Sequence, residues 1–437
     1  MKKGLMLAAA AAFALLLFVN PARAAAENKL VIVSPHWEGI RSEFTRAFKI
    51  WREKQGKEKI ELTWLDQGGS SDDLKFIKSG FERSPQGIGA DLFYGGGIDP
   101  YTELANAGLL VPYKLPAKEL ARLRKDLNGV PLYDSEFRWY GASVSGFGIL
   151  YNKKLLKMYN IKQPVSWANL ASPDLFNLVG SGDPRHSGTV HVMYEVILQS
   201  YGWERGWDIL LRMGGNVRSF PKSSSQTIKD LSTGEVAEGL TLDSYAFSAI
   251  EETGAARLGF TMPAKSTVIT PDPIAILKGA KNVAAAQDFI RFVLSPEGQR
   301  LWLYKKGISG GPKEFSLNKM SVLPGLYKDF EKKSNVLINP FKEKKGFAYD
   351  FEKATARWNL INDLVGALII DTHEELASAC EKSSKNKGNK KLAAALKVPI
   401  SEDEAMKLAT GKWNDEVARN KVINEWLTGA RKRYKMQ

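Results

Sequence analysis

The chain has 437 residues, 62 Lys and Arg against 48 Asp and Glu, a formal charge of +14, and one cysteine, Cys380. That length supports more than one packed domain, and a lone cysteine excludes a fold stapled by internal disulfides. The basic surplus suits anionic partners, but its densest runs, Lys382 to Lys391 and Arg431 to Lys435, carry no interleaved aromatic motif and no zinc-ligand spacing, so no nucleic-acid partner is expected.

Residues 1–24 read as a secretory leader. Lys2 and Lys3 form the charged start, and Leu5 to Val19 is an apolar stretch too short and alanine-rich for a membrane span. Ala22-Arg23-Ala24 supplies the cleavage site, with a cut after Ala26 as the alternative. The mature protein is expected in the periplasm. Leu30 to Val33 reads as a buried strand running into Ser34-Pro35-His36-Trp37, with a helix from about Glu38 to Lys54. Ile60 to Leu65 alternates as a second strand. Gly68 to Asp73, with Ser70 in it, opens a helix whose first turn carries acids. Asp91 to Tyr94 is a third strand ending in Gly95-Gly96-Gly97; a helix over Pro100 to Ala107 and the run Leu109 to Pro112 follow. This β-α-β-α-β order predicts a parallel sheet with its loops gathered at one edge.

Trp139 to Asn152, studded with Gly and with Ser143 and Ser145, reads as a strand crossing between domains, and Pro164 to Leu170 as a short capped helix. The apolar run Leu175 to Val179 predicts a strand, and Val192 to Leu211 a long amphipathic helix. Between them lies Gly182-Asp183-Pro184-Arg185-His186-Ser187-Gly188-Thr189-Val190-His191. Asp183-Pro184 favours a turn. Ser187 or Thr189 then serves as N-cap, and Gly188 admits a close approach. A helix start offers unpaired N–H groups and the positive end of the dipole, so it attracts an anion; a capped helix with no guest is the plain alternative. The same turn chemistry recurs at Ser223-Ser224-Ser225, which opens a helix through Leu231.

Glu238 to Tyr245 reads as a strand and then a turn carrying Asp243 and Tyr245, with a helix from near Phe247. Leu258 to Pro263 and Ser266 to Leu277 read as returning strands, Asp272 between its prolines as structural, and His186 and His191 as capping or packing residues. Ala284 to Leu294 is an amphipathic helix stopped by Ser295-Pro296. From Asp329 onward the pattern is helical: Phe351 to Ile370, a polar break at Lys385 to Lys391, an N-cap at Ser401, and a closing basic helix over Val417 to Tyr434. Trp358, Trp413 and Trp426 read as core. No His-Glu-x-x-His and no phosphate-binding Gly-Lys-Ser/Thr loop occurs, so no enzyme is expected.

The stretches Asp91 to Tyr94, Glu103 to Leu110, Asp183-Pro184-Arg185 with Ser187-Gly188-Thr189, Leu277 to Asn282 with Ala284-Ala285 and Phe289-Ile290, and Ser295 to Gln299 resemble bacterial extracellular solute-binding proteins, the ligand-capturing parts of ABC importers. The branch resembled contains ferric-ion-binding and phosphonate- or sugar-phosphate-binding members, and the likeness runs from about Leu30 to Trp302. It implies an α/β, two-lobed, type II-like periplasmic-binding-protein fold with crossing hinge strands. Lobe 1 would comprise residues 27–141 and 274–328, lobe 2 residues 142–273, and a helical C-terminal extension residues 329–437. A monomer without cofactor would pass a small anionic solute to an inner-membrane permease. Ligand candidates are Ser34, His36, Trp37, Ser70, Gly96, Ser143, Ser145, Arg185, Ser187, Gly188, Thr189, Ser224, Ser225, Asp243 and Tyr245. Ferric members hold iron with a histidine, an acid and two adjacent tyrosines. Here only His36 and Tyr245 match, Ser244 and Ala246 flank the tyrosine, and glycines replace the acid, so the ferric reading is the alternative to an anion. A hydrolase or a chemoreceptor's soluble partner are further alternatives.

Overall fold

The computed structural model describes residues 28–222, 224–342, 346–386 and 389–437; the expected leader and Ser223 lie outside them. Strands β1 (Lys29–Val33), β2 (Glu61–Leu65) and β3 (Leu92–Tyr94) are parallel, joined by helices α1 (Glu38–Lys54) and α2 (Ser70–Arg83). Helix α3 (Ile98–Asn106) leads to β4 (Leu110–Val111), and a small hairpin follows, β5 (Asp126–Leu127) and β6 (Val130–Pro131). Its Asn128-Gly129 corner has φ of 57° and 92°, which suits a two-residue hairpin turn.

Strand β7 (Tyr140–Asn152) is buried throughout and belongs to both lobes. Its first half pairs antiparallel with β11 (Ile269–Leu277). Its second half pairs with β9 (Glu238–Leu242) and β10 (Leu258–Thr261), and β8 (Val179–Gly180) lies parallel to β9. The strand order is β2-β1-β3-β11-β7-β9-β8. The fold is thus two α/β lobes joined by β7 and by the run from β10 into β11, the type II arrangement expected.

One face of the first lobe's sheet is covered by α1 and by helices over Val283–Val293 and Pro296–Leu303, with Phe44, Phe48, Phe289, Phe292 and Trp302 interlocked. The other face is covered by α2 and α3. The second lobe packs α4 (Gly188–Tyr201) and α5 (Trp203–Asn216), with α6 (Ser224–Thr233) and α7 (Asp243–Thr253) nearby. Its core does not stop there. Trp207 and Leu210 share one apolar cluster with Leu360, Leu364, Leu368, Leu376 and Tyr434 of the C-terminal extension. The extension, α8 (Phe351–Val365), a π-helical turn (Gly366–Ile370), α9 (His373–Asn386), α10 (Asn389–Ala395), α11 (Glu402–Thr410) and α12 (Glu416–Lys435), is therefore part of the second lobe's core. Trp413 and Trp426 stack, buried, as expected. Among the described residues no helix is long and apolar enough to cross a membrane.

Several expectations need correction. Leu175 to Val179 is not a strand: Ser172 caps a 3-10 turn over Pro173–Leu175, and only Val179–Gly180 pairs. The run Val192 to Leu211 is two helices, because Gly202 sits at φ 78°, where the helix cannot continue. Helix α7 begins at Asp243 with no intervening turn. Ser295-Pro296 stops one helix by capping the next. Residues 329–342 and 346–350 are mostly irregular, with one 3-10 turn at Phe330–Lys332.

Arg357 on α8 clips the extension to α4. It is fully buried, and its Nη2 donates to Glu195 Oε1 at 2.7 Å while its Nη1 donates to Glu402 Oε1 at 2.7 Å. Removing one partner of a buried pair strands the other charge, so Arg357→Met is expected to lower unfolding free energy by about 3–5 kcal/mol. Because the pair is shielded from solvent, denaturant melts should give the same loss at low and high salt.

Candidate functional site

A cleft of about 180 Å³ opens between the lobes. Of the fifteen candidates, His36, Ser70, Gly96, Ser145, Ser187, Gly188, Thr189 and Tyr245 line it. The first lobe contributes the start of α2, and the second contributes the start of α4. These two starts meet closely: a Cβ on Gly188 would fall 2.7 Å from Ser70 Oγ, and one on Gly69 would fall 3.2 Å from the His186 carbonyl oxygen. A side chain at 188 would force the Ser70 hydroxyl to move. Helix α2 begins at Gly69 with no side-chain cap, whereas Ser187 caps α4 by accepting the Val190 N–H at 3.4 Å.

The remaining candidates are placed elsewhere. Ser34 is buried and its Oγ accepts the His36 N–H. Trp37 turns outward, its ring edge-on to Phe315. Ser143 is buried opposite Asp272 in the β7–β11 ladder. Arg185 is held by Asp183 at 2.8 Å and Asp371 at 3.1 Å, so its guanidinium is already satisfied by two carboxylates. Asp243 is a buried acid whose Oδ1 accepts the Ser244 N–H. Ser225 is exposed in the first turn of α6, away from the cleft, and the side chain of Ser224 lies outside the described ones.

The sequence reading missed the cleft's charged centre. Asp272, read as structural, lines the cleft with Lys319 and Thr270. Its Oδ2 contacts Lys319 Nζ and lies 3.0 Å from His36 Nε2, and its Oδ1 accepts the Gly97 N–H at 3.3 Å. Burial works against the Asp272 carboxylate, but Lys319 and then His36 hold it well below the usual carboxylate range. Burial, only partly opposed by Asp272, lowers the His36 pKa. The ring is therefore neutral at pH 7, and because an ionised carboxylate only accepts, Nε2 carries the proton. Burial pushes Asp99, in the first turn of α3, up to about 7. Two prolines inside a strand were the available signal for Asp272, since proline is confined to irregular positions there; the ladder register does shift between Asp272 and Pro273. Lys319 sits in a polar stretch without periodicity and gave no signal. Trp358, read as core, also lines the cleft, beside Tyr349 and Phe351.

For ferric iron the donor set is thin. Among the described residues no three His, Cys, Asp or Glu side chains are placed to hold a metal. His36 Nε2 is committed to Asp272, and burial followed by the Asp272 charge raises the Tyr245 phenol, which disfavours phenolate.

A model of bacterial extracellular solute-binding proteins matches residues 89–319, just over half of the chain. The chain belongs to this family. PgtC, a phosphoglycerate transport regulatory protein of Salmonella typhimurium, is 32% identical to this solute-binding protein over 160 residues, 37% of this chain and 39% of that relative. This chain thus spans well under half the length of that relative. The major ferric iron-binding protein of Neisseria meningitidis is 28% identical over 229 residues, 51% of this chain and 65% of that protein. The periplasmic binding protein AfuA from Actinobacillus pleuropneumoniae, solved with exogenous fructose-6-phosphate bound, superposes with a TM-score of 0.64 at 23% identity, covering 77% of this chain and 97% of its own, and shows the shared fold.

In this solute-binding protein Lys319 neutralises a buried acid. Lys319→Met is expected to cost about 3–5 kcal/mol at pH 7, and adding Asp272→Asn should restore most of it. The sign with pH follows from linkage: wild-type Asp272 stays ionised, while the single variant takes up a proton as pH falls. The stability gap between wild type and Lys319→Met therefore narrows in acid, as urea melts across pH should show.

Proposed function

We propose that this protein is the periplasmic binding component of an ABC importer, and that it captures a small anionic solute between its lobes for delivery to an inner-membrane permease. The solute carries a phosphate, phosphonate or carboxylate group. The observation that carries this reading is the meeting of the α2 and α4 starts, one from each lobe, in one cleft. N–H groups at both starts, with the hydroxyls of Ser70, Ser145, Ser187 and Thr189, match the acceptor oxygens of such a group. Lys222 adds positive charge to the cleft lining, while Lys319 is paired with Asp272.

We assign residues 27–141 and 274–328 to the first lobe and 142–273 to the second, with 329–437 as the extension, in a protein that acts as a monomer. An anion bound to both starts favours the closed form over the open one, and the permease reads the closed form. The names of two relatives, one for phosphoglycerate transport and one solved with a sugar phosphate, agree with a phosphorylated guest.

The test is calorimetry with inorganic phosphate, 3-phosphoglycerate and fructose 6-phosphate. Ser187→Ala combined with Thr189→Val should weaken the tightest of these by at least roughly tenfold, the loss of about two hydrogen bonds to a charged group. Unchanged affinity removes the α4 turn from the site. A tyrosinate charge-transfer band on loading with ferric citrate favours the iron reading instead.

A further inference from the structure

The family model ends at residue 319, but the cleft does not. Tyr349, Phe351 and Trp358, all beyond it, form a wall beside the α4 turn. Trp358 is fixed from behind. His191 stacks on it at 3.6 Å between ring centroids and 28° between planes, and His191 Nδ1 is 2.7 Å from Asn362 Oδ1 one turn along α8. The neighbouring Arg357 is locked to Glu195. The far edge of the indole lies over the helix start, 3.6 Å from where a Gly188 Cβ would be. On the opposite side Thr355 Oγ1 donates to Asp99 of the first lobe at 3.3 Å, and Phe351 packs against the cores of both lobes. Helix α8 therefore spans the cleft while presenting an aromatic surface next to the anion turn.

A bare, hydrated anion gains nothing from that surface, since its oxygens want N–H and O–H donors. A guest with a carbon body does gain, because an indole buries C–H groups without leaving a polar atom unpaired. We propose that the C-terminal extension is a wall of the binding site, and that Trp358 packs the multi-carbon body of an organic anion whose charged group sits at the α2 and α4 starts. This makes Trp358 a specificity residue that selects such a solute over free phosphate. The inference rests on the anion reading above.

The test measures affinity for inorganic phosphate and for glucose 6-phosphate, a probe that shares the charged group and adds a carbon body, in wild type, Trp358→Leu and Trp358→Phe. Leucine fills much of the volume without a flat face, and phenylalanine keeps a smaller one; thermal melts confirm that each variant folds. The expected result is a wild-type preference for glucose 6-phosphate that shrinks about tenfold in Trp358→Leu and less in Trp358→Phe, with phosphate affinity unchanged. A preference that is the same in all three proteins, or a loss that falls equally on both probes, overturns the role of Trp358 and leaves the anion reading standing. Wild type binding neither probe overturns the anion reading, and this inference with it.

Discussion

Backbone N–H groups at the start of a helix have no partner inside the helix and must find one outside it. Helices α2, α3, α4 and α7 start around this cleft, and side chains answer some of their N–H groups. Asp272 accepts the Gly97 N–H at α3, Asp243 accepts the Ser244 N–H in the first turn of α7, and Ser187 accepts the Val190 N–H at α4. The starts of α2 and α4 come from opposite lobes and face each other closely, a Cβ on residue 188 falling 2.7 Å from Ser70 Oγ. Side chains add little competing charge. Lys319 neutralises Asp272, His36 is a neutral ring, and Arg185 is occupied by two aspartates. The pull expected on an anion therefore comes from backbone dipoles and hydroxyls, with Lys222 beside them in the lining.

The extension gives that geometry an asymmetric frame. It shares the second lobe's apolar core and is pinned there by the Arg357–Glu195 pair. Toward the first lobe it offers the Thr355–Asp99 hydrogen bond and the packing of Phe351. A hinge motion on β7 and on the run from β10 into β11 would carry the extension with the second lobe. Opening would then separate α8 from α3, and Asp99, with its carboxyl near 7, lies at that seam.

Where local chemistry decides local structure, the sequence was legible. Alternation and glycine breaks placed β1 to β3, the small-residue turn placed the α4 start, and Ser401 is the N-cap its position suggested, with Glu404 completing a capping box. Eight of the fifteen candidate residues reached one cleft because they sit at strand ends or helix starts, positions that this topology sends to one edge. The misses are long-range. Arg185 looked available until Asp371, 186 residues away, closed on it. Asp272 and Lys319 meet across 47 residues with no shared motif. Trp358 has the spacing of a core residue, and only the docking of α8 across both lobes turns its edge to the cleft.

The central claim is that one guest engages both lobes through the starts of α2 and α4. Hydrogen–deuterium exchange during titration with the tightest-binding anion tests it most directly. Amides around residues 69–71 and 188–190 should gain protection together, with one shared midpoint in ligand concentration. Protection confined to one of the two segments, or to neither while binding is evident, would contradict the account.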